Sequence, residues 1–327
     1  MMKKQTFIRT LALVLMCFMM ILSTGCGSGP RFMFGTGGTA GTYYAYGGVL
    51  AQYMKNYAGV RVTAVSTGGS KANIQSIQDG DYQLGFTQSD VMSYAWTGTK
   101  SFEAEGPTHD FRVLGCLYAE TVQLITMDAD IKTVSDLKGK SVSIGEAGSG
   151  VYFNAMDVLN TAGLTIKDIK PQYQSFEDSK ESLKDGKIDA AFIVAGAPTT
   201  AITELATTNG VYLINIDGDL RDKILKECPY YSEFTIPAGT YPKQDKDVET
   251  ITIKATVVVD TDLDDDVVYD LTASIFDHKE EITAENAKGE ELDLANATSV
   301  NDVPYHAGAA RYYEEHGITV ATEEGGK

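Results

Sequence analysis

The sequence predicts an α/β protein of two similar lobes, and a duplicated glycine-rich turn is the main observation behind this prediction. The first turn, at residues 35–41, joins a short apolar run to a segment whose apolar residues recur at helical spacing. The second turn, at residues 145–150, lies between segments of the same two kinds. Residues 41–44 (GTYY) align with residues 150–153 (GVYF) without an insertion or deletion. Two copies in register predict two lobes that direct their helix starts at one place.

Alternating strand and helix patterns extend each copy into a lobe with a parallel sheet. In the first lobe we predict strands at 32–36, 60–65 and 82–86 and helices at 43–57, 70–78 and 88–96. In the second lobe we predict helices at 151–162, 178–184 and 198–207 and strands at 170–175, 188–194 and 211–214. Ligands of such sheets bind beyond the carboxyl ends of the strands, so we expect a ligand cleft between the lobes.

Three further segments predict where helices begin. Residues 66–70 (STGGS) close a strand of the first lobe, and residues 177–180 (EDSK) are their expected counterpart in the repeat. Residues 195–198 (AGAP) end a buried strand with a proline suited to a first helical turn. An acidic block at Asp264 places negative charge at the start of a helix expected to run to about Glu281.

The connections between the lobes set the predicted domain boundaries. Residues 111–127 read as strands that leave the first lobe, at 31–122, and enter the second, at 123–237. Residues 250–259 are rich in β-branched residues and are expected to form a strand that crosses back to the first lobe. Residues 238–327 therefore return to the first lobe and carry the C-terminal helices.

The N-terminal segment predicts export and a lipid anchor. Residues 1–25 combine basic residues with an apolar run at 11–22 that is too short to span a membrane, as in a signal peptide. Residues 23–26 (STGC) resemble a bacterial lipobox, which predicts lipidation of Cys26 and a flexible tether at 26–30. The alternative is an ordinary signal peptide with a chance cysteine. The lipoprotein interpretation places the protein on the extracytoplasmic face of the cell membrane, held by its lipid alone.

Composition argues against several classes of partner. The formal charge of −18 disfavours binding to nucleic acid or to anionic lipid. The four histidines show no paired spacing, so no metal site is expected. Neither glycine-rich turn is followed by the residues of a nucleotide-binding fingerprint, and no cofactor is expected. Cys116 and Cys228 are expected to be free and buried, although an exported protein permits a disulfide.

The candidate ligand-binding residues lie in the turns at the ends of the predicted strands. Glycines let the backbone approach a ligand, and the first turn of a helix offers unpaired N–H groups to an anion. Glu146 adds a negative charge that would repel a second carboxylate or pair with an amine. The candidates are Gly37, Gly38, Thr39, Gly41, Tyr43, Tyr44, Ser66, Thr67, Gly68, Gln88, Ser89, Glu146, Gly148, Ser149, Gly150, Ala195 and Gly196.

The aromatic pair after each glycine-rich turn carries a separate expectation. Adjacent helical positions point about 100° apart, so both rings of a pair can hardly enter one core. Tyr43 and Tyr152 are expected to face the cleft, while Tyr44 and Phe153 are expected to pack.

Six motifs together resemble one family of binding proteins. They are GTGGTAGTYY at 35–44, STGGS at 66–70, DLKGK at 136–140, GSG at 148–150, AGAP at 195–198 and PYHAGAARYY at 304–313. In this order they look like the TAXI family, the solute-binding proteins of one class of TRAP transporters. The resemblance implies a periplasmic-binding-protein-like fold of type II, with two lobes joined by crossing strands. It also implies a small carboxylate ligand such as glutamate, glutamine or 2-oxoglutarate, and a partner permease of TRAP membrane subunits.

The predicted function is capture of a small carboxylate in the cleft and its delivery to that permease. An enzyme on the same two-lobed architecture and a surface-tethered ligand sensor are the alternatives. No combination of nucleophile, base and orienting group is readable in the sequence, so no catalytic residue is expected.

Overall fold

The computed structural model describes residues 29–323. The predicted signal peptide and the predicted lipidation site at Cys26 lie outside the described residues. All elements below belong to one compact unit, residues 31–327. Within the described part of the chain, no helix is long and apolar enough to cross a membrane.

Ten strands and eleven α-helices make up the described chain. The strands are β1 Arg31–Gly35, β2 Arg61–Val65, β3 Leu84–Gln88, β4 Phe111–Thr126, β5 Ser141–Ser143, β6 Lys170–Gln172, β7 Ala190–Ala195, β8 Tyr212–Ile214, β9 Ser232–Ile236 and β10 Val248–Asp260. The helices are α1 Thr42–Tyr57, α2 Ser70–Gln78, α3 Ser89–Thr97, α4 Val151–Thr161, α5 Phe176–Lys184, α6 Thr200–Thr208, α7 Gly218–Glu227, α8 Asp265–Phe276, α9 Lys279–Glu285, α10 Leu294–Ala297 and α11 Ala307–Glu315.

A single sheet with the order β2-β1-β3-β10-β4-β7-β5-β6 runs through both lobes. The three strands at one end, β1 to β3, are parallel to one another, and so are β5, β6 and β7 at the other end. The central strands β4 and β10 are antiparallel to their neighbours. β8 and β9 pair with β4 and β10 outside this path. The two parallel ends are the sheets of the first and second lobe.

The long strands β4 and β10 are the structural link between the lobes. β4 has 16 residues, nearly all of them buried, and its first half pairs with β10 while its second half pairs with β7. Continuous apolar runs are typical of strands covered on both faces. Because β4 crosses from one lobe to the other, its middle residues lie where the lobes meet.

Each lobe has its own hydrophobic core. One core packs α1, α3, α8 and α11 on β1 to β3 and the first half of β4. Two further clusters cover the two faces of the second lobe, around α4 and α7 on one face and α6 on the other. The pattern confirms the α/β fold expected from the alternation of strands and helices.

Most predicted elements are present, with boundaries shifted by at most three residues, but two expectations about helix starts and one about a helix end were wrong. Ser179 does not begin a helix like Ser70, because α5 already starts at Phe176 with Ser175 as its N-cap. Pro198 precedes the N-cap of α6 and is not in its first turn. The helix capped by Asp264 ends at Phe276, and α9 follows as a separate helix. The helix α7 and the strand β9 were not predicted.

Candidate functional site

A cavity of about 60 Å³ lies where the two lobes meet, beyond the carboxyl ends of β1, β3 and β7. The residues that follow these strands line its sides. Glu120, from the middle of β4, also lines it. Its lining consists of Gly37, Gly38, Gly41, Thr42, Tyr43, Gly68, Gly69, Ser70, Gln88, Glu120, Glu146, Ser149, Gly150, Val151, Gln174, Ser175, Phe176, Val194 and Ala195.

Four helix N-termini meet at this cavity. Gly41, Gly69, Gly150 and Ser175 are the N-cap residues of α1, α2, α4 and α5, and each of them lines it. None of the three glycine caps supplies a side-chain acceptor to its helix. In α2 the backbone N–H groups of Lys71 and Ala72 donate to the carbonyl of Gly148, so the first turns of α1 and α4 are the ones that keep N–H groups for a ligand. The dipoles of the four helices place partial positive charge around one small volume, which favours an anionic ligand group.

Glycine is required at several of these positions because the walls approach closely. Gly69 has φ 99°, in the region that side chains disfavour, and it caps α2. A Cβ atom on Gly150 would overlap the side-chain oxygen of Gln88 and lie 2.9 Å from Val91 Cγ2. The glycine-rich turn of the second lobe therefore fits against the first lobe only without a side chain.

Glu120 is the buried carboxylate of the cavity. It lies in the middle of β4, is 2% exposed and accepts a hydrogen bond of 2.6 Å from the hydroxyl of Tyr43. Burial raises the pKa of Glu120 to about 8, with a smaller contribution from Asp90, while the Tyr43 hydrogen bond opposes the rise. Burial also raises the pKa of the Tyr43 hydroxyl well above its usual value. Tyr43 therefore remains a neutral donor to Glu120.

Glu146 is a second, half-buried carboxylate at the edge of the cavity. Burial raises its pKa, and the neighbouring Asp178 adds to the effect. The backbone carbonyl of Glu146 accepts hydrogen bonds from the N–H and the hydroxyl of Ser149, which fixes the second glycine-rich turn. None of the residues that line the cavity is Lys, Arg or His. Positive charge in the described cavity thus comes from backbone N–H groups alone.

Side chains behind the cavity connect the two lobes. Asn154 of α4, fully buried, accepts a hydrogen bond of 2.6 Å from Gln88 and donates to Asp90 at 3.0 Å and to the Tyr231 hydroxyl at 2.7 Å. Gln88 and Asp90 belong to the first lobe. Burial raises the pKa of Asp90 to about 7. A second contact joins the lobes through the backbone, where the backbone N–H of Lys71 in the first lobe donates to the carbonyl of Gly148 in the second at 3.1 Å. The described arrangement therefore has the lobes in direct contact around the cavity.

The structure brings ten of the seventeen candidate residues to the cavity. They are Gly37, Gly38, Gly41, Tyr43, Gly68, Gln88, Glu146, Ser149, Gly150 and Ala195. Thr39, Ser66 and Thr67 line an adjoining surface depression instead. The hydroxyls of Ser66 and Thr67 donate to the carbonyls of Gly37 and Thr36, so they hold the first glycine-rich turn in place.

The remaining four candidates lie away from the cavity. Ser89 is buried at the start of α3. The carbonyl of Gly148 is engaged by Lys71. Gly196 packs against Lys288 and Tyr118, which leave no room for a side chain there. Tyr44 is 38% exposed, so the expectation that it packs was wrong.

The expected equivalence of the aromatic pairs was wrong for Tyr44 and Tyr152, whereas Tyr43 faces the cavity and Phe153 packs as expected. Tyr43 contributes its ring to the cavity and stacks on Phe86 at 4.6 Å between ring centroids, which accounts for its burial. Tyr152 does not line the cavity and stacks on the exposed Tyr173. Phe153 packs edge-on against Tyr94 of the first lobe. The two turns are therefore alike in backbone and unlike in the side chains that follow.

Glu120 is the most important residue that sequence reasoning missed. It lies in a long apolar strand, whereas the predicted site residues lie in turns at the ends of strands. The sequence feature that could have identified it is that Glu120 is the single carboxylate in the apolar run at 111–127, because an isolated charge in a buried strand needs a partner. The other unpredicted lining residues are Thr42, Gly69, Ser70, Val151, Gln174, Ser175, Phe176 and Val194.

Comparison with known proteins identifies the family. A model of the NMT1-like family matches residues 34–317, which is most of the chain, and the chain therefore belongs to this family. A protein of Escherichia coli strain K12, named as an aliphatic sulfonates-binding protein, is 36% identical over 69 residues. That match spans 21% of this chain and 21% of the relative.

Solved structures identify the fold. A protein from Bordetella bronchiseptica RB50 aligns with a TM-score of 0.55 and 15% identity over 88% of this chain and 98% of its own. The periplasmic aliphatic sulphonate binding protein SsuA from Escherichia coli aligns with a TM-score of 0.47 and 18% identity over 89% of this chain and 94% of its own. The chain has the two-lobed α/β fold of periplasmic solute-binding proteins.

Proposed function

We propose, from the membership in the NMT1-like family, that this protein captures a small carboxylate outside the cytoplasm and delivers it to a membrane permease. The observation that carries the proposal is the meeting of four helix N-termini at one cavity between the lobes. Such a site binds an anionic group through backbone N–H groups without a cationic side chain.

The energetics of the helix starts support a carboxylate as the bound group. A hydrogen bond to a charged group contributes about 1.5–3 kcal/mol, so two or three such bonds account for a binding free energy typical of small ligands. The small volume of the cavity, about 60 Å³ with the lobes in contact, favours a compact ligand. Opening of the lobes would admit the ligand, and closing would exclude water from it.

The groups at the cavity support binding rather than catalysis. The hydroxyl of Ser70 accepts from the N–H of Gln88, and that of Ser149 donates to the Glu146 carbonyl. Among the described residues that line the cavity there is no His to act as the base for a hydroxyl nucleophile, and there is no Cys. A nucleophile would need such a base for activation.

The proposed partner is a permease of the TRAP class, and this part of the proposal rests on the six ordered motifs. Reconstitution of the protein with its permease in vesicles tests it. Uptake that follows an imposed ion gradient and proceeds without ATP supports a TRAP partner. Uptake that requires ATP inside the vesicles overturns it and leaves ligand capture intact.

Attachment to the membrane through lipid on Cys26 is also a proposal. Substitution Cys26→Ala should release the protein from the membrane fraction of the producing cells. Mass spectrometry of the mature N-terminus would show a diacylglycerol on Cys26. An unmodified mature N-terminus downstream of Cys26 would overturn the lipid anchor.

Calorimetric titration with a panel of probes tests the ligand class. We expect binding of at least one of L-glutamate, L-glutamine and 2-oxoglutarate, together with a smaller radius of gyration in solution scattering. Taurine and ethanesulfonate belong in the panel because a relative is named for sulfonates. Binding of sulfonates with no binding of carboxylates would overturn the proposed ligand class.

A further inference from the structure

One oxygen of the Glu120 carboxylate faces the cavity without a protein partner among the described residues. The Oε2 atom accepts the hydrogen bond from Tyr43, and no donor from residues 29–323 is within hydrogen-bond distance of Oε1. Glu120 is 2% exposed and lines the cavity, so the space that this oxygen meets is the cavity itself. A buried carboxylate oxygen at a ligand cavity calls for a donor from the ligand.

We propose that Glu120 binds an ammonium group of the ligand, so that the cavity selects small amino acids over carboxylates that lack an amine. This inference rests on the proposed function, since it names the ligand class of the same cavity. The carboxylate of the ligand would contact the helix starts, and its ammonium would contact Glu120.

The position of Glu120 among the helix N-termini supports this division of roles. Its hydrogen-bond partner Tyr43 is the second residue of α1, and Ser70, the first residue of α2, lines the same cavity. The acidic group and two positive helix ends therefore adjoin one another. A zwitterion with neighbouring carboxylate and ammonium groups matches this pattern of charge, whereas a dianion places a second negative charge near Glu120.

Binding of an ammonium group beside Glu120 releases a proton. The charged or titratable groups that act on Glu120 are Tyr43 from α1, Asp90 from α3 and Tyr118 from its own strand, and none of them is cationic. With its pKa raised to about 8, Glu120 is largely protonated in the empty cavity at pH 7. Contact with an ammonium group ionises it, and the carboxyl proton leaves to solvent. Amino-acid affinity should therefore rise with pH between 6 and 8, while affinity for a carboxylate without an amine should fall.

L-Glutamate and 2-oxoglutarate form the decisive pair of probes, because they differ only in the amine or keto group at one carbon. We expect wild-type protein to bind L-glutamate more tightly, with proton release measurable from titrations in buffers of different ionisation enthalpy. Glu120→Gln should weaken L-glutamate binding at least tenfold and leave 2-oxoglutarate binding unchanged or tighter. L-Alanine and pyruvate provide the same comparison for a smaller ligand.

The matched control is Glu285→Gln. Glu285 also accepts a hydrogen bond from a tyrosine hydroxyl, that of Tyr53 at 3.0 Å, but it lies outside the cavity. We expect this variant to bind all four probes like the wild type. Circular dichroism melts of each variant confirm folding, and Tyr43→Phe supplies a second variant that leaves Glu120 in place but removes its hydrogen bond. Tyr43→Phe should give a smaller loss confined to the two amino acids.

The outcomes separate this inference from the proposed function. Equal losses of L-glutamate and 2-oxoglutarate binding in Glu120→Gln, or no loss of either, would overturn amine recognition while carboxylate capture stands. Preference of the wild type for the keto acids would do the same. Absence of binding of all four probes to folded wild-type protein would overturn both proposals for these ligands.

Discussion

Substitution of Gly150 by alanine is the sharpest test of how the lobes close. The added methyl group would overlap the side-chain oxygen of Gln88 and lie 2.6 Å from its Cδ atom. Gln88 cannot move aside freely, because it is 2% exposed and donates to Asn154 across the lobes at 2.6 Å. The methyl group is therefore accommodated only if the two lobes separate at this point.

The size of the effect follows from the contacts that would be lost. Breaking the Gln88–Asn154 hydrogen bond leaves buried amide groups unpaired, at a cost of about 1–3 kcal/mol. Overpacking in a well-packed region adds about 1–3 kcal/mol. A total of about 2–6 kcal/mol against the closed arrangement corresponds to roughly 30- to 20,000-fold weaker ligand binding. Each lobe keeps its own core, so we expect the melting temperature to fall by only a few degrees.

Gly48→Ala is the matched control for this experiment. Gly48 lies on the exposed face of α1, where an added Cβ meets no atom within 4 Å, and alanine stabilises a helix relative to glycine. Calorimetry should show a large loss of affinity only for Gly150→Ala, and solution scattering should show no compaction of that variant at ligand concentrations that saturate the wild type. An affinity within twofold of the control, or equal compaction, would refute the assignment of Gly150 to the closing contact.

Three further predictions concern burial, capping and exposure. Glu120→Gln should become progressively more stable than the wild type as pH rises from 5 to 8 in urea unfolding without ligand. The folded pKa of about 8 exceeds the ordinary 4.5, so folding binds the proton and each pH unit in this window costs the wild type up to about 1.4 kcal/mol. A constant difference would contradict the burial of this carboxyl. Asp264→Ala should lower the free energy of unfolding by about 1 kcal/mol, because the Asp264 side chain accepts from two N–H groups of α8, and ligand affinity should not change. Tyr44→Ser should leave ligand affinity unchanged in calorimetric titrations, since Tyr44 is exposed and lies outside the cavity. A tenfold loss of affinity would show that Tyr44 does contact the ligand.

The helix starts of the site could be predicted because their cause is local. Glycines between a strand and a helix specify a turn with accessible N–H groups, whatever the rest of the chain does. Gly41 and Gly150 accordingly occupy equivalent N-cap positions. The repeat failed at Ser179, where local capping chemistry favoured Ser175, whose side chain accepts from the N–H of Asp178.

The roles of Glu120 and Tyr44 could not be predicted because they depend on tertiary packing. Periodicity shows that one of two adjacent rings is buried, and it does not show which one. The stacking of Tyr43 on Phe86 and the hydrogen bond to Glu120 bury Tyr43, and Tyr44 is left at the surface. Glu120 reaches the cavity because β4 crosses between the lobes at that residue, and this crossing is a property of strand order rather than of local sequence.

The overall charge and the helix starts act on a ligand at different distances. A formal charge of −18 repels anions over a Debye length of about 8 Å at physiological ionic strength, whereas the N–H groups of the helix starts act only at hydrogen-bond distance. A dianion therefore meets repulsion before it reaches any favourable contact, and inside the cavity it brings no cationic group that could ionise and pair with Glu120. A zwitterion meets little repulsion on approach and finds a partner for each of its charges. Long-range and short-range electrostatics thus favour the same ligand class, a small amino acid.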